Sequence, residues 1–157
     1  MRTTFVFLSV VLIAIGILAR PVARAAGPAV VVVMAAAVGV RDISMADLRR
    51  VFLGLPTAVG GKRLIPINLP NNDGARHAFD RAILGLEPGA VGKFWIDRRI
   101  RDESAPPRSV PAAALAAKVA ASLPGAITYI PTSLMNDKLV ELAVDGNAPG
   151  SGGYPIK

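Results

Sequence analysis

The stretch LIPINLPNNDGARHAF, residues 64–79, contains the change of pattern that decides the fold. An apolar run with strand character stops at a cluster of Asn, Pro, Asp and Gly, and a helical pattern then begins. Such a turn directs the free N–H groups at the start of the helix outward, where they can bind an anion. Asp73 is equally suited to cap those N–H groups itself. The residues therefore allow two interpretations, an anion cradle or a capped strand–helix junction.

Strands and helices alternate on both sides of this turn. The residue patterns predict strands at residues 29–37, 63–68, 126–131 and 138–146, and Pro66 indicates an edge strand or a strand end. They predict helices after the N-cap Ser44, at residues 75–84, from Pro88 onward and at residues 111–125. This order predicts one α/β domain, with a mostly parallel or mixed sheet flanked by helices.

The N-terminus has the pattern of a secretory signal peptide. The segment MRTT carries one positive charge, residues 5–19 are continuously apolar, and Ala23-Arg24-Ala25 offers a small-x-small cleavage signal. The apolar run is shorter than the roughly 18 residues of a membrane span. We therefore expect residues 1–25 to be removed and residues 26–157 to form an exported, periplasmic domain. A retained signal that anchors the protein to the inner membrane is the alternative.

The composition excludes several classes of function. The chain has no cysteine and one histidine, His77, which rules out thiol catalysis and makes cysteine or histidine-cluster metal sites implausible. The basic residues alternate with acidic ones, a pattern typical of a solvated surface more than of a nucleic-acid interface. No nucleophile, base and acid can be assembled into a catalytic set. We therefore expect no enzyme activity, no cofactor and no nucleic-acid partner.

Two further segments contain residues that are typical of ligand sites. Thr132 and Ser133 follow the predicted strand at residues 126–131, and their hydroxyl groups could either bind an anion or cap a short helical turn. The tail, residues 147–157, contains the glycine-rich segment APGSGGYP, which does not connect a strand to a helix and so does not meet the structural requirement for a phosphate loop. We expect the tail to be a mobile loop except at Tyr154.

Five segments in order resemble a known family: DISMADLRRVFLG, KRLIPINLP, AFDRAILGLEPGAVGKFW, PPRSV and LPGAITYIP. Together with the ending DGNAPGSGGYPI, they resemble small exported proteins related to the substrate-binding proteins of phosphate ABC transporters. The resemblance covers roughly residues 30–156. It implies one lobe of a type II periplasmic binding protein, which binds phosphate or a similar small oxyanion. It also implies a membrane component of an ABC transporter, or a second lobe-like protein, as a partner, and leaves a homo-oligomer open.

The opening turn departs from the family pattern. In full phosphate-binding proteins it resembles Arg-x-Asp-Gly-Ser-Gly-Thr, whereas this chain keeps Asp73-Gly74, lacks both hydroxyl residues and has Leu69 about where the arginine stands. Arg76 in the first helical turn could replace that arginine. The alternative function is an envelope accessory or interaction protein that keeps the fold and binds no ligand. The candidate ligand-binding residues are Asn71, Asn72, Asp73, Gly74, Ala75, Arg76, Thr132 and Ser133.

Overall fold

The computed structural model describes residues 29–101 and 105–157. The predicted signal peptide, residues 1–25, lies outside the described residues and stays a prediction. The strands are β1 (Val30–Ala35), β2 (Asp42–Ile43), β3 (Ala58–Val59), β4 (Lys62–Arg63), β5 (Ile65–Asn68), β6 (Arg108–Ser109), β7 (Ala126–Pro131), β8 (Leu139–Glu141) and β9 (Ala143–Val144). The α-helices are α1 (Met45–Phe52), α2 (Gly74–Phe79), α3 (Pro88–Ile100) and α4 (Ala113–Ser122).

A mixed sheet forms the centre of the fold, which confirms the predicted α/β class. Within the described residues five strands pair in the order β6-β5-β7-β1-β8. Strand β5 runs parallel to both of its neighbours, β6 and β7. Strand β1 runs antiparallel to both β7 and β8. Strands β2 and β9 form a small parallel pair, and β3 and β4 form a small antiparallel pair.

Strands β7 and β1, in the middle of the sheet, are buried because both of their faces are covered. All six residues of β1 are buried, as its unbroken apolar sequence predicts. Helix α4 packs on β7 and β1 through Ala116, Ala117 and Ala120, whose small side chains allow a close approach. The rings of Phe52 and Tyr129 pack around Phe79, with centroid distances to Phe79 of 4.6 Å and 3.9 Å.

The prediction that Ser44 caps the start of α1 is confirmed. The Ser44 Oγ accepts a hydrogen bond from the Asp47 N–H at 3.0 Å, and the Ser44 hydroxyl donates to Asp47 Oδ2 at 2.8 Å. The helix then buries Leu48, Val51 and Phe52. The spacing is that of a capping box, but the Asp47 carboxylate accepts from the Ser44 hydroxyl and not from the Ser44 backbone N–H.

Several predicted elements differ from the structure. The strand expected at residues 138–146 is two strands, because Leu142 N–H bonds to Val32 while Ala143 N–H bonds to Arg41. The helix expected at residues 75–84 is α-helical only to Phe79 and continues as a π-helical segment, Asp80–Leu84. Strand β5 lies inside the sheet and is not an edge strand, and Pro66 is its second residue. Strand β6 pairs with β5 only after Pro66, so the missing N–H of the proline removes no pairing with β6.

The tail, residues 147–157, contains no helix or strand, in agreement with the loop prediction. Tyr154 and Ile156 are nevertheless buried in the core. The Tyr154 hydroxyl accepts a hydrogen bond from the Val32 N–H at 3.0 Å, next to the point where β8 begins to pair with β1. A side chain of the tail therefore takes the place of a strand partner at this position of β1.

The parallel pairing of β5 with β7 places the candidate residues. Because both strands end at the same edge of the sheet, the turn that follows β5 and the 3₁₀ segment Thr132–Leu134 that follows β7 lie at that edge. Strand β1, antiparallel to β7, begins there. Ligands of open α/β sheets bind at the carboxyl ends of the parallel strands. No helix among the described residues is long and apolar enough to cross a membrane.

Candidate functional site

The start of α2 is capped by its own N-cap residue. The Asp73 Oδ1 accepts hydrogen bonds from the N–H groups of Ala75 at 2.8 Å and Arg76 at 3.3 Å. The Asp73 backbone is extended, and its own N–H donates to the Pro70 carbonyl at 3.0 Å. These N–H groups are the ones that an anion cradle would offer to a ligand. In the structure the N–H groups of Ala75 and Arg76 already donate to the Asp73 carboxylate.

Arg76 points into the protein. Its side chain is about 5 % exposed, and Nε donates to Asp80 Oδ2 at 2.7 Å. Its Nη1 donates to the carbonyl oxygen of Leu69 at 3.0 Å. The arginine expected to reach toward an anion therefore binds the carboxylate one helical turn later and the end of β5. Its burial is the main feature of the site that the sequence interpretation did not anticipate.

Asp80 is buried with Arg76. Burial raises the pKa of the Asp80 carboxyl group above its ordinary value, while the hydrogen bond and the charge of Arg76 oppose that shift. The Asp80 Oδ1 has no hydrogen-bond partner among the described residues. A carboxylate with one satisfied and one unsatisfied oxygen depends strongly on its cation, so the pair holds α2 in place only while both members are present.

The end of β5 is held by polar groups from neighbouring strands. The Leu69 carbonyl oxygen accepts bonds from both Arg76 and the Ser109 hydroxyl, the latter at 3.0 Å. The Tyr129 hydroxyl donates to Asn68 Oδ1 at 3.1 Å, and burial raises the pKa of Tyr129. The Leu69 side chain is fully buried. The position where the family pattern has arginine is thus part of the core.

The remaining residues of the turn face solvent. Asn71 and Asn72 are exposed, and Gly74 is exposed at the start of α2. His77 is half-buried, and its Nε2 lies 2.7 Å from the Asn71 carbonyl oxygen. Because that oxygen can only accept, Nε2 carries the proton in this contact. This bond closes the turn over the helix start.

Thr132 and Ser133 are both exposed in the 3₁₀ segment. The residue that precedes this segment is Pro131, and no side chain caps it. The capping interpretation of the two hydroxyl groups was therefore wrong. The Thr132 backbone N–H donates to the Ala29 carbonyl at 2.9 Å, and the residue lines a cavity.

Two adjacent cavities lie at this edge of the sheet and share Val30 and Lys157 among their lining residues. The first, of about 440 Å³, lies against the tail and is lined by Thr132, Glu141, Tyr154 and Ile156, among others. The second, of about 390 Å³, lies against the start of α2 and is lined by Asp73, Gly74, Ala75, Ala78 and Pro131. Both volumes are in the range of small-ligand sites.

The structure thus brings only part of the candidate set together. Asp73, Gly74 and Ala75 line the second cavity and Thr132 lines the first, whereas Asn71, Asn72, Arg76 and Ser133 line neither. The sequence did not reveal that the tail lines the first cavity. The one signal for this role was Tyr154, an aromatic residue near the end of a glycine-rich segment. Among the described residues no group of three His, Cys, Asp or Glu side chains is placed to hold a metal ion.

Comparison with known proteins identifies the fold. No protein-family model and no curated protein sequence matches this chain. An ABC-type phosphate transport receptor from Vibrio cholerae is similar at 14% identity and a TM-score of 0.60, over 77% of this chain and 48% of that one. A putative phosphate ABC transporter substrate-binding protein with bound phosphate, from Clostridium perfringens, is similar at 14% identity and a TM-score of 0.60. The similarity covers 77% of this chain and 46% of that one.

PstS from Borrelia burgdorferi is similar at 16% identity and a TM-score of 0.56, over 82% of this chain and 53% of that one. The chain therefore spans about half the length of the binding proteins it matches. At these identities the similarity concerns the fold, and the segment order noted in the sequence agrees with it. The chain has the mixed α/β fold of one lobe of a type II periplasmic binding protein.

Proposed function

We propose that this chain is an exported solute-binding-type protein that works for or alongside an ABC transporter, and that its α2 turn is a structural junction. The support for binding is the position of the two cavities, at the edge where parallel strands β5 and β7 end. The support for the transport setting is the fold, since the similar structures are described as phosphate transport receptors and phosphate-binding proteins.

The arrangement of Asp73 and Arg76 carries the second half of the proposal. An oxyanion at this turn would compete with the Asp73 carboxylate for the N–H groups of Ala75 and Arg76. It would also lack the guanidinium group, because moving Arg76 outward breaks two buried hydrogen bonds and leaves Asp80 without its cation. These costs oppose oxyanion binding at the turn.

Binding of phosphate or a similar small oxyanion is the second candidate. One structure of similar fold contains bound phosphate, and this chain keeps Asp73-Gly74 with Arg76 two residues on. A protonated phosphate could donate to the Asp73 carboxylate, with Asn71, Asn72, Ala75, Thr132 and Ser133 as further contacts. A single lobe leaves such a ligand half solvated, so a second copy or a lobe-like partner would have to supply the facing wall.

A thermal-unfolding screen of the purified chain tests the proposal. Phosphate, sulfate, amino acids, sugars and organic amines are added separately, since a ligand of the folded state raises the midpoint by mass action. We expect one solute class to raise it saturably and phosphate to leave it unchanged. Saturable phosphate stabilisation that Arg81→Ala retains and Arg76→Ala abolishes would favour the second candidate. No response to any solute would favour the accessory protein that binds no ligand.

A further inference from the structure

The larger cavity has a chemistry that does not suit an inorganic oxyanion. We call it the tail groove, and its walls are built mainly from apolar side chains of β1 and of the tail, including Val30, Val31, Tyr154 and Ile156. Phosphate carries charge on every face and gains little from such walls, whereas a hydrocarbon body is stabilised by leaving water. The size and polarity of the tail groove therefore fit a small, largely apolar molecule.

The tail groove and the adjoining cavity are together lined by two carboxylates and one cation. Glu141 lines the tail groove, is half-buried, and makes no ion pair in the part of the chain that the structure describes. Asp73 lines the adjoining cavity, and Lys157 is the one cationic side chain among the lining residues of the two. Burial raises the pKa of Tyr154, and the negative charge of Glu141 adds to that rise. A cation placed here would meet an unpartnered carboxylate.

Hydrogen-bonding groups complete the site. Thr132 and Ser151 are exposed residues that line the tail groove, and a hydroxyl group can accept from an ammonium N–H. The Tyr154 hydroxyl is already engaged with the Val32 N–H. The groove thus combines apolar walls with two hydroxyl-bearing residues, the Glu141 carboxylate, which makes no ion pair among the described residues, and Lys157 as its one cationic residue.

We propose that the tail groove binds a small amphiphile with an apolar body and a cationic amine, and that Glu141 provides the counter-charge. This inference rests on the proposed function, since it names the class of solute that a binding-type protein would take at this edge. The attraction between the amine and a half-buried carboxylate gives the site its preference for positive charge. The apolar walls provide most of the affinity.

A pair of probes with the same apolar body tests the charge preference. Calorimetric titration of the purified chain with 3-phenylpropylamine and with 4-phenylbutyrate compares a cation and an anion that carry the same phenylpropyl group. We expect saturable binding of the amine, tighter than that of the acid by about tenfold, which corresponds to roughly 1.4 kcal/mol. In Glu141→Gln the preference should disappear, whereas Glu87→Gln, an exposed carboxylate on another part of the surface, should keep it.

A second pair of variants locates the site. Thr132→Trp places a large ring at the rim of the tail groove and should reduce the affinity for the amine at least about tenfold. Ser133→Trp changes the neighbouring exposed residue, which does not line the groove, and should leave the affinity unchanged. Both positions are exposed, so neither substitution removes a core contact.

The inference is overturned if neither probe binds saturably, if the acid binds as tightly as the amine, or if Glu141→Gln keeps the preference. Its failure can be separated from failure of the proposed function. If the thermal screen finds stabilisation by another solute class, the chain is still a solute-binding protein and only the ligand class is wrong. If no solute stabilises the chain, both the inference about the tail groove and the proposed function are wrong.

Discussion

Arg76 donates from Nε to Asp80 Oδ2 at 2.7 Å, and both side chains are almost completely buried beneath the turn that follows β5. Replacing the arginine by methionine keeps much of its volume but leaves the Asp80 carboxylate buried without a cation. We expect Arg76→Met to lower the free energy of unfolding by about 3–5 kcal/mol, measured by urea denaturation at neutral pH.

Arg81 provides the matched control for this substitution. It lies on the same helical segment, but its Nη1 is 3.8 Å from Glu87 and both side chains are more than half exposed. Arg81→Met should therefore cost less than about 1 kcal/mol. Equal losses in the two variants would mean that the buried pair does not hold the turn.

The pH dependence of stability should contain a contribution from Asp80. Burial raises its pKa in the folded protein above the value of 3.8, so between that value and the folded-state pKa the folded protein binds more protons than the unfolded one. In that window the free energy of unfolding falls as the pH rises. Urea denaturation at several pH values should show wild type losing stability relative to Asp80→Asn across the window. A constant difference would argue against this contribution.

Tyr154 tests the role of the tail in the fold. Tyr154→Phe keeps the ring in the core but removes the acceptor of the Val32 N–H, which then stays buried without a partner. We expect a loss of about 1–3 kcal/mol in the free energy of unfolding. Thr132 is exposed, so Thr132→Val should change the free energy of unfolding by less than about 0.5 kcal/mol. Similar small effects of both variants would show that the tail contact contributes little.

Gly125, just before β7, lies close to the backbone of Arg63 at the end of β4. A Cβ at this position would collide with the Arg63 carbonyl oxygen, and its φ is 88°. Gly39 has a similar φ of 78° but open space around it. Gly39→Ala should therefore cost only the left-handed backbone penalty of about 1–2 kcal/mol, and Gly125→Ala clearly more. Thermal or urea unfolding of the two variants measures the difference, and equal costs would contradict the steric account.

Asp73 separates capping from ligand binding. Asp73→Ala removes the acceptor for the N–H groups of Ala75 and Arg76 and should lower the free energy of unfolding by about 1 kcal/mol. Asp73→Asn keeps a capping oxygen without the charge and should lose less. If instead both variants are as stable as wild type, the carboxylate is not the structural cap described here.

Local signals predicted the parts of this fold that depend on residues close in sequence. The Ser44–Asp47 cap and the Asp73 cap each join residues no more than three positions apart, so residue identity and spacing predicted the first and offered the second as one of two interpretations. The apolar run at residues 29–37 predicted β1 because burial on both faces requires such a run. The order of these elements, together with the family-like segments, was enough for the α/β lobe.

Contacts between distant segments were not predictable in the same way. The Tyr154–Val32 bond joins residues 122 positions apart, and the groove beside it depends on that contact. The direction of Arg76 was missed for a different reason. Arg76 and Asp80 stand at i and i+4, a spacing that favours an ion pair, and Ala75 and Phe79 mark the same region of the helix as core. The spacing was visible in the sequence, but the burial that makes it decisive was not.

The central claim is that the α2 turn is closed by Asp73 and Arg76. NMR spectra of the nitrogen-labelled purified chain, recorded during titration with phosphate and with sulfate as control, test it most directly. We predict that the Ala75 and Arg76 amide signals and the Arg76 Nε signal show no saturable change with either anion. Saturable shifts of these signals with phosphate, absent with sulfate, would contradict the claim and make the turn an anion cradle.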